Sequence, residues 1–137
     1  MKETNTCFFS LLTANADLLL DKIMKNIKVQ PHDPHKDKIA QNALQLHCLF
    51  LAYTKNEIGL TDLEEIAKKI ALQRLEADVD ILEFIYNTNV GTKEMINLLE
   101  KYAASESEYT GIKEQINEFF DFFIYLTVHA YYTQQPE

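Results

Sequence analysis

Arg74 is the residue of this sequence whose position most needs a chemical explanation. It is the only arginine of the chain, and the helical periodicity of residues 61–77 places it in the middle of an apolar stripe. A guanidinium keeps its proton at physiological pH, so on a buried face it needs an anionic or carbonyl partner. Two alternatives stay open: a structural ion pair with an inward Asp or Glu, or a bound anion.

Three further polar residues fall on faces that are otherwise apolar. His47 is either a core histidine with satisfied hydrogen bonds or a contact for a ligand. Thr88 and Thr92 interrupt the apolar stripe of a later helix beside Gly91. Their hydroxyls either bond back to the preceding helical turn or line a polar cavity wall that faces Arg74.

A group of potential metal ligands crowds one short segment. His32, Asp33, His35 and Asp37 lie in a predicted loop and first helical turn, where solvated polar residues and caps are normal. No distant set of ligands accompanies them, and Gly-rich phosphate loops, Glu-x-x-His pairs and His-Glu-x-x-His motifs are all missing from the sequence. We therefore expect neither a metal site nor an enzyme.

Composition limits the class of protein. The 137 residues carry 13 basic and 21 acidic side chains, a net charge of −8, which argues against binding to nucleic acid or to an anionic membrane. We expect one domain over residues 1–137, soluble and cytoplasmic, without membrane insertion. Cys7 and Cys48 fall on apolar helix faces, which favours buried thiols over a disulfide.

Five helices and no strand are predicted, which makes the fold all-α. Prolines and Gly59 separate the first three helices, and capping boxes are expected at Thr61 with Glu64 and at Asp80 with Glu83. The predicted helices span residues 6–28, 33–55 (with Asp33 as N-cap), 61–77, 81–104 and 111–132, and residues 105–110 form a polar turn. The last two helices form an antiparallel pair.

The last helix has two apolar faces. The stripe expected in the core consists of Ile112, Ile116, Phe119, Phe123, Leu126 and Ala130. A second, largely aromatic stripe lies roughly 100° away, and monomers rarely expose so much aromatic surface. Either other helices cover it, or the last two helices of each chain form an intermolecular four-helix bundle in a homodimer, which we favour. The residues expected in this interface are Phe84, Leu98, Tyr102, Phe122, Tyr125, His129 and Tyr132.

Two stretches carry a resemblance to a known family. They are Ile70-Ala71-Leu72-Gln73-Arg74-Leu75-Glu76-Ala77-Asp78-Val79-Asp80-Ile81-Leu82-Glu83-Phe84, and Phe119-Phe120-Asp121-Phe122-Phe123 through Ala130-Tyr131-Tyr132. The chain resembles the haem-less globin-fold sensor domains of stressosome proteins and sporulation histidine kinases over its last half to two-thirds. It is most similar to their stand-alone, plasmid-borne sporulation-inhibitory relatives in bacilli.

This resemblance implies a dimeric globin-like fold with a fatty acid and a halide in an internal tunnel. It also implies inhibition of sporulation by competition for the signal of a sensor histidine kinase. No motif assigns the ligand residues, so these are inferred from the residues themselves. Arg74 is expected to hold the anionic head or the halide, and His47, Thr88 and Thr92 to complete the polar end. The apolar wall is assigned to Leu46, Phe50, Ile70, Ile85 and Phe123.

Haem is not expected, because residues 61–78 contain no histidine to serve as its proximal ligand. No other cofactor is predicted. The rival hypothesis is a protein-interaction module without a small-molecule ligand. In that case the aromatic face of Phe122, Tyr125, His129 and Tyr132 docks onto a kinase or phosphatase, and the supposed cavity is ordinary core.

Overall fold

The computed structural model describes Phe8 and residues 10–135, and every regular element within them is helical. After a short helical stretch at residues 10–14, the helices are α1 (Ala16–Asn26), α2 (Ile39–Thr54), α3 (Leu60–Glu76), α4 (Ile81–Tyr102) and α5 (Glu106–Thr133), with a 3₁₀ turn at Lys36–Lys38 before α2. The all-α class predicted from the sequence is confirmed.

The first two predicted helices differ from the observed ones. A turn at Asn15 interrupts the first, and the start of the prediction, at Thr6, lies outside the described residues. The second begins at Ile39 instead of Asp33. The Asp33 carboxylate accepts a hydrogen bond from the His35 N–H (2.8 Å), which stabilises a local turn in place of a helix N-terminus.

Two predicted capping boxes are also wrong in detail. At α3 the Asp62 carboxylate accepts the N–H of the N-cap Gly59 (2.9 Å), so Thr61 and Glu64 do not form the box. At α4 Asp80 is the predicted N-cap and accepts the Leu82 N–H (2.9 Å). Glu83, however, is buried at this end of the helix, and neither of its oxygens is hydrogen-bonded within the described chain.

The last helix begins five residues earlier than predicted. Ser105 Oγ accepts the Glu108 N–H (3.1 Å), and the Glu108 carboxylate accepts the Ala104 N–H (3.2 Å). Ser followed three residues later by Glu is a capping-box pattern. Gly111, which was expected to start the helix, lies inside it, so the predicted polar turn over residues 105–110 is wrong.

The core is centred on α5, which packs along both α3 and α4, while α1 lies against α2 and α4. The predicted core stripe of α5 is confirmed, with five members buried and Leu126 half-buried. Phe120 is buried as well, and its ring centroid lies 6.1 Å from that of Phe50. Phe119 completes this aromatic cluster, 5.5 Å from Phe50.

The cysteine prediction is wrong for Cys48, which is exposed. The buried face of α2 includes Leu46, His47 and Phe50, and Cys48 lies about 100° round the helix from His47. Cys7 lies outside the described residues. None of the described helices is long and apolar enough to cross a lipid bilayer.

Candidate ligand-binding site

A cavity of about 700 Å³ opens between α2, α3 and α4. This is within the size range of sites for small organic ligands. Its apolar wall is formed by Ile39, Ala43, Leu46, Leu49, Ala52, Ile66, Ile70 and Phe84. Its polar lining consists of His35, Lys38, Asn42, Gln45, Cys48, Lys69, Gln73, Arg74, Glu83, Asn87 and Thr88. The cavity therefore combines an aliphatic surface with polar side chains from all three helices. The group formed by Arg74 of α3 and by Glu83, Asn87 and Thr88 of α4 is called its polar end below.

The partner of Arg74 is Asp33. Arg74 Nη1 donates to Asp33 Oδ2 (2.6 Å), and Nη2 makes a longer bond to Oδ1 (3.5 Å). The side chains are 7% and 0% exposed, so this is a buried ion pair. Burial by itself would raise the pKa of Asp33, but the hydrogen bonds from Arg74 and from the His35 N–H outweigh it and lower the pKa. Of the two alternatives left open by the sequence, the structure contains the internal ion pair.

The main-chain carbonyl of Arg74 takes part in the hydrogen bonding that ends α3. It accepts the Val79 N–H (3.0 Å), and Asp78 between them adopts the left-handed conformation, with φ of 56°. This six-residue closure is a Schellman-type helix end, in which Asp replaces the usual glycine. The α3–α4 corner is tied further by the Tyr131 hydroxyl, which donates to the Val79 carbonyl (3.2 Å).

Glu83 is the second buried charge-bearing residue at the polar end. It is 8% exposed, and neither carboxylate oxygen has a partner in hydrogen-bonding geometry among the described residues. Burial raises the pKa of Glu83, with a further contribution from Asp33, while Arg74 and hydrogen-bonding groups of Gln30, in its side chain and its backbone, oppose the rise. Its position in the α4 sequence suggested a helix cap, which is why sequence reasoning missed its place in the cavity.

His47 lies in the core and does not line the cavity. Its Nε2–H donates to the Gly91 carbonyl (3.1 Å), and its ring lies edge-on to Phe120 at 6.2 Å. A Cβ on residue 91 would lie 3.3 Å from His47 Nε2, so the glycine makes room for the imidazole. Burial lowers the pKa of His47 to about 4, so the side chain is neutral at pH 7. Nδ1 is buried without a hydrogen-bond partner in the described chain.

The two threonines have different surroundings. Thr88 lines the cavity close to Glu83 and Asn87. Thr92 is buried, and its hydroxyl donates to the Thr88 carbonyl one turn earlier (2.9 Å). The hydroxyl of Thr92 therefore bonds back to the preceding turn, and only Thr88 contributes to the wall.

The predicted apolar wall is brought together only in part. Leu46 and Ile70 line the cavity. Phe50 and Phe123 are fully buried in the aromatic core beside Phe119. Ile85 is half-buried and does not belong to the lining. A helical stripe of large apolar residues has the same pattern whether it faces a cavity or the core, so periodicity could not separate these two groups.

Asn87 is a structural residue that sequence reasoning missed. Its side-chain carbonyl accepts the Lys28 N–H (2.8 Å), and its amide donates to the Lys28 carbonyl (2.7 Å). This pair attaches the segment after α1 to α4. Glu83, Asn87 and Gly91 follow one another at four-residue intervals, so one face of α4 carries three positions with different polar roles. This four-residue spacing was visible in the sequence and could have indicated that Asn87 lies on the same inward face of the helix.

The potential metal ligands between residues 32 and 37, before α2, include two that make structural contacts with other parts of the chain. His32 Nε2 donates to the Asp78 carbonyl (3.0 Å), and Asp33 binds Arg74, whereas Asp37 is exposed. Within the described part of the chain, no three His, Cys, Asp or Glu side chains are close enough together to hold a metal ion.

The aromatic stripe of α5 (Phe122, Tyr125, His129 and Tyr132) is exposed. Tyr125 and Tyr132 are 62% and 60% exposed, and Tyr125 stacks on His129 with 5.9 Å between ring centroids. Tyr102, at the end of α4, is exposed too. The two other residues assigned to an interface lie elsewhere. Leu98 is buried in the core of the chain, and Phe84 lines the cavity and lies 6.5 Å from the ring of Phe123.

Comparison with known proteins gives one consistent result. The family described as histidine kinase N terminal matches residues 5–133. A protein of Bacillus anthracis, pXO2-61, is 36% identical over 135 residues, which span 98% of this chain and 99% of that protein. The crystal structure of pXO2-61, described as a sporulation inhibitor, has a TM-score of 0.84 and covers 94% of this chain and 98% of its own. The similarity thus extends beyond the segments that carry the sequence resemblance.

The ion pair predicts a large loss of stability when one partner becomes neutral. Asp33→Asn leaves the buried guanidinium without its counter-charge, and we expect the free energy of unfolding to fall by about 3–5 kcal/mol. Urea unfolding followed by circular dichroism measures this change. The control is Asp37→Asn in the neighbouring 3₁₀ turn, where the side chain is exposed. Equal stability of the two variants would contradict a structural role for the pair.

The buried neutral His47 predicts a loss of stability in mild acid. Its folded pKa of about 4 lies below the ordinary 6.5, so the unfolded chain takes up the proton first as the pH falls. From about pH 7 to pH 5 this removes about 2 kcal/mol from the free energy of unfolding. In urea titrations His47→Gln should flatten the pH profile by that amount, while the exposed control His129→Gln should not. Parallel profiles for both variants would refute the assignment.

Proposed function

The chain belongs to the family of histidine kinase N-terminal domains, and on this basis we propose that it is a non-enzymatic sensor domain that binds an amphiphilic signal molecule and inhibits sporulation. The resemblance inferred from the sequence is confirmed by this membership. Support for the inhibitory role comes from pXO2-61, a sporulation inhibitor that is 36% identical over nearly the whole length of both chains.

The observation that carries the proposal is the shape and lining of the cavity. An apolar wall contributed by three helices leads to a polar end with Arg74, Asn87 and Thr88. A fatty acid matches this division, since its chain needs an aliphatic surface and its head needs hydrogen-bonding groups. The fatty acid is therefore the proposed ligand, and no haem or other cofactor is part of the proposal.

Arg74 keeps a role in the proposed site despite its ion pair. A guanidinium has five N–H donors, and the bonds to Asp33 use only two of them. The remaining donors suit the oxygen atoms of a ligand head, and a halide could use the same donors. Because Asp33 already neutralises Arg74, a free halide would find no net positive charge at this point. The apolar wall, which a halide cannot use, supports an amphiphile such as a fatty acid. His47 and Thr92 have no part in the proposed site, since neither lines the cavity.

Inhibition would follow from sequestration of the signal. A molecule held in this cavity is withdrawn from the sensor domain of a sporulation histidine kinase that needs it, by mass action. The proposal requires no contact between the two proteins. It does require that this chain be present in amounts comparable to the signal molecule.

A cavity-filling variant tests the ligand. Ala52 lines the cavity and is half-buried, so Ala52→Phe should occupy the space of the aliphatic chain and weaken the binding of decanoate at least tenfold. Isothermal titration calorimetry measures the affinity. The control is Gln41→Phe, on the exposed face of the same helix and outside the lining. No binding to the wild-type protein, or unchanged binding to Ala52→Phe, would contradict the proposal.

The exposed aromatic stripe of α5 supports a homodimer as the proposed assembly. Tyr125 lies within the stripe and is 62% exposed. An isolated chain rarely leaves so much contiguous aromatic surface in contact with water. In a symmetric dimer each stripe would cover the other. The same exposure supports the rival interaction module, in which a kinase or phosphatase covers the stripe.

Light scattering coupled to gel filtration separates the two assemblies. We expect a dimer for the wild-type protein and a monomer for Tyr125→Asp, because the carboxylate would be buried against its symmetry mate. Leu18→Asp is the matched control, since Leu18 is an exposed apolar residue of α1, which packs mainly on α2 and α4 rather than on α5. A monomeric wild-type protein would favour the interaction module and exclude the homodimer.

A further inference from the structure

The polar end of the cavity has an unsatisfied acceptor, not an unsatisfied cation. Glu83 is more than nine-tenths buried and lines the cavity, and both of its carboxylate oxygens are without a hydrogen-bond partner among the described residues. Buried carboxylates in folded proteins are normally hydrogen-bonded, and an unpaired one is costly. Gln30 is near enough to lower the pKa of Glu83, but its groups do not meet hydrogen-bonding geometry with either oxygen. Both oxygens therefore remain able to accept a hydrogen bond from a further group in the cavity.

The charges around Glu83 determine which head group can approach it. Arg74 on α3 and Asp33 before α2 face it and cancel one another as a buried pair. His35 from the same connection, Lys38 of the 3₁₀ turn and Lys69 of α3 line other parts of the cavity, and both lysines are exposed to solvent. Taken together, Arg74, Asp33 and Glu83 carry a net charge of −1 when Glu83 is ionised. A bare carboxylate placed there would add a second negative charge in a poorly solvated site.

We propose that Glu83 recognises the head of the ligand by accepting a hydrogen bond, from the hydroxyl of a neutral amphiphile or from the undissociated carboxyl of a fatty acid. This proposal rests on the proposed amphiphile-binding function and refines its ligand class. When the ligand is a fatty acid, one proton is taken from solvent on binding and is shared between the ligand carboxyl and Glu83. No covalent bond is made or broken.

The electrostatics of the site agree with this arrangement. Burial raises the pKa of Glu83, which favours a proton between the two carboxyl groups over two separate negative charges. Two carboxyl groups can lie side by side when they share one proton, because only one negative charge is then present. A hydroxyl ligand needs no proton, since it donates directly to the ionised Glu83.

The two ligand classes should therefore differ in their dependence on pH. Binding that takes up one proton weakens about tenfold for each pH unit, so the affinity for decanoate should fall about tenfold from about pH 7 to pH 8. The affinity for n-decanol should stay constant over the same range. Calorimetry in buffers of different ionisation enthalpy should report one proton taken up per decanoate and none per decanol.

Glu83→Gln supplies the matched variant, because its amide can donate to a carboxylate without any proton uptake. Decanoate should then bind independently of pH, and more tightly than to the wild-type protein at about pH 8. Glu100→Gln, an exposed substitution on the same helix, should keep the wild-type slope. The buffer experiment on the wild-type protein decides the question even if Glu83→Gln does not fold.

Two outcomes would overturn the inference in different ways. Binding of decanoate without proton uptake, or with the same pH slope in Glu83→Gln as in the wild-type protein, would exclude Glu83 as the head-group acceptor and leave the proposed function intact. Failure of both decanoate and n-decanol to bind the wild-type protein would exclude the amphiphile-binding function itself.

Discussion

The buried pair of Arg74 and Asp33 is the interaction on which the organisation of the site depends. It connects the last turn of α3 to the segment between α1 and α2, across 41 residues of sequence. Either charge would be unstable without the other, because both side chains are buried away from water. The pair therefore holds the two segments in a single arrangement. The bond from His32 to the Asp78 carbonyl reinforces the same junction. The polar end of the cavity is thus built from elements that cannot separate without exposing a charge.

Three residues on one row of α4, spaced four apart, have different polar contacts. Glu83 faces the cavity, Asn87 bonds to the backbone of Lys28, and Gly91 accommodates His47. An apolar side chain at any of these positions would fill the cavity, detach the segment after α1 or displace the imidazole. The weak helix propensity of Asn87 and Gly91 is therefore the consequence of what these positions contact, and the surrounding packing compensates for it.

The sequence predicted the helical class, most helix boundaries and the burial of Arg74, because these follow from local periodicity and from charge on an apolar face. It could not predict that Asp33 would be the partner of Arg74, since the contact joins distant segments and Asp33 also fits the pattern of a helix cap. Nor could it separate Leu46 from Phe50, which share an apolar face but lie against the cavity and the core, respectively. Such distinctions depend on how helices pack, which a single helical wheel does not contain.

The unpaired carboxylate of Glu83 bears on which ligands the proposed sensor would select. The ion pair is closed internally, so under the proposed function the ligand need not supply a counter-charge, and Glu83 would gain a hydrogen-bond partner that it lacks within the described chain. A ligand that provides this hydrogen bond stabilises the folded state more than one that merely fills the apolar wall. Selectivity would therefore reside in the head group, while the aliphatic wall would tolerate a range of chain lengths. A sensor built as proposed would distinguish ligands by their protonation and hydrogen-bonding state as much as by their size.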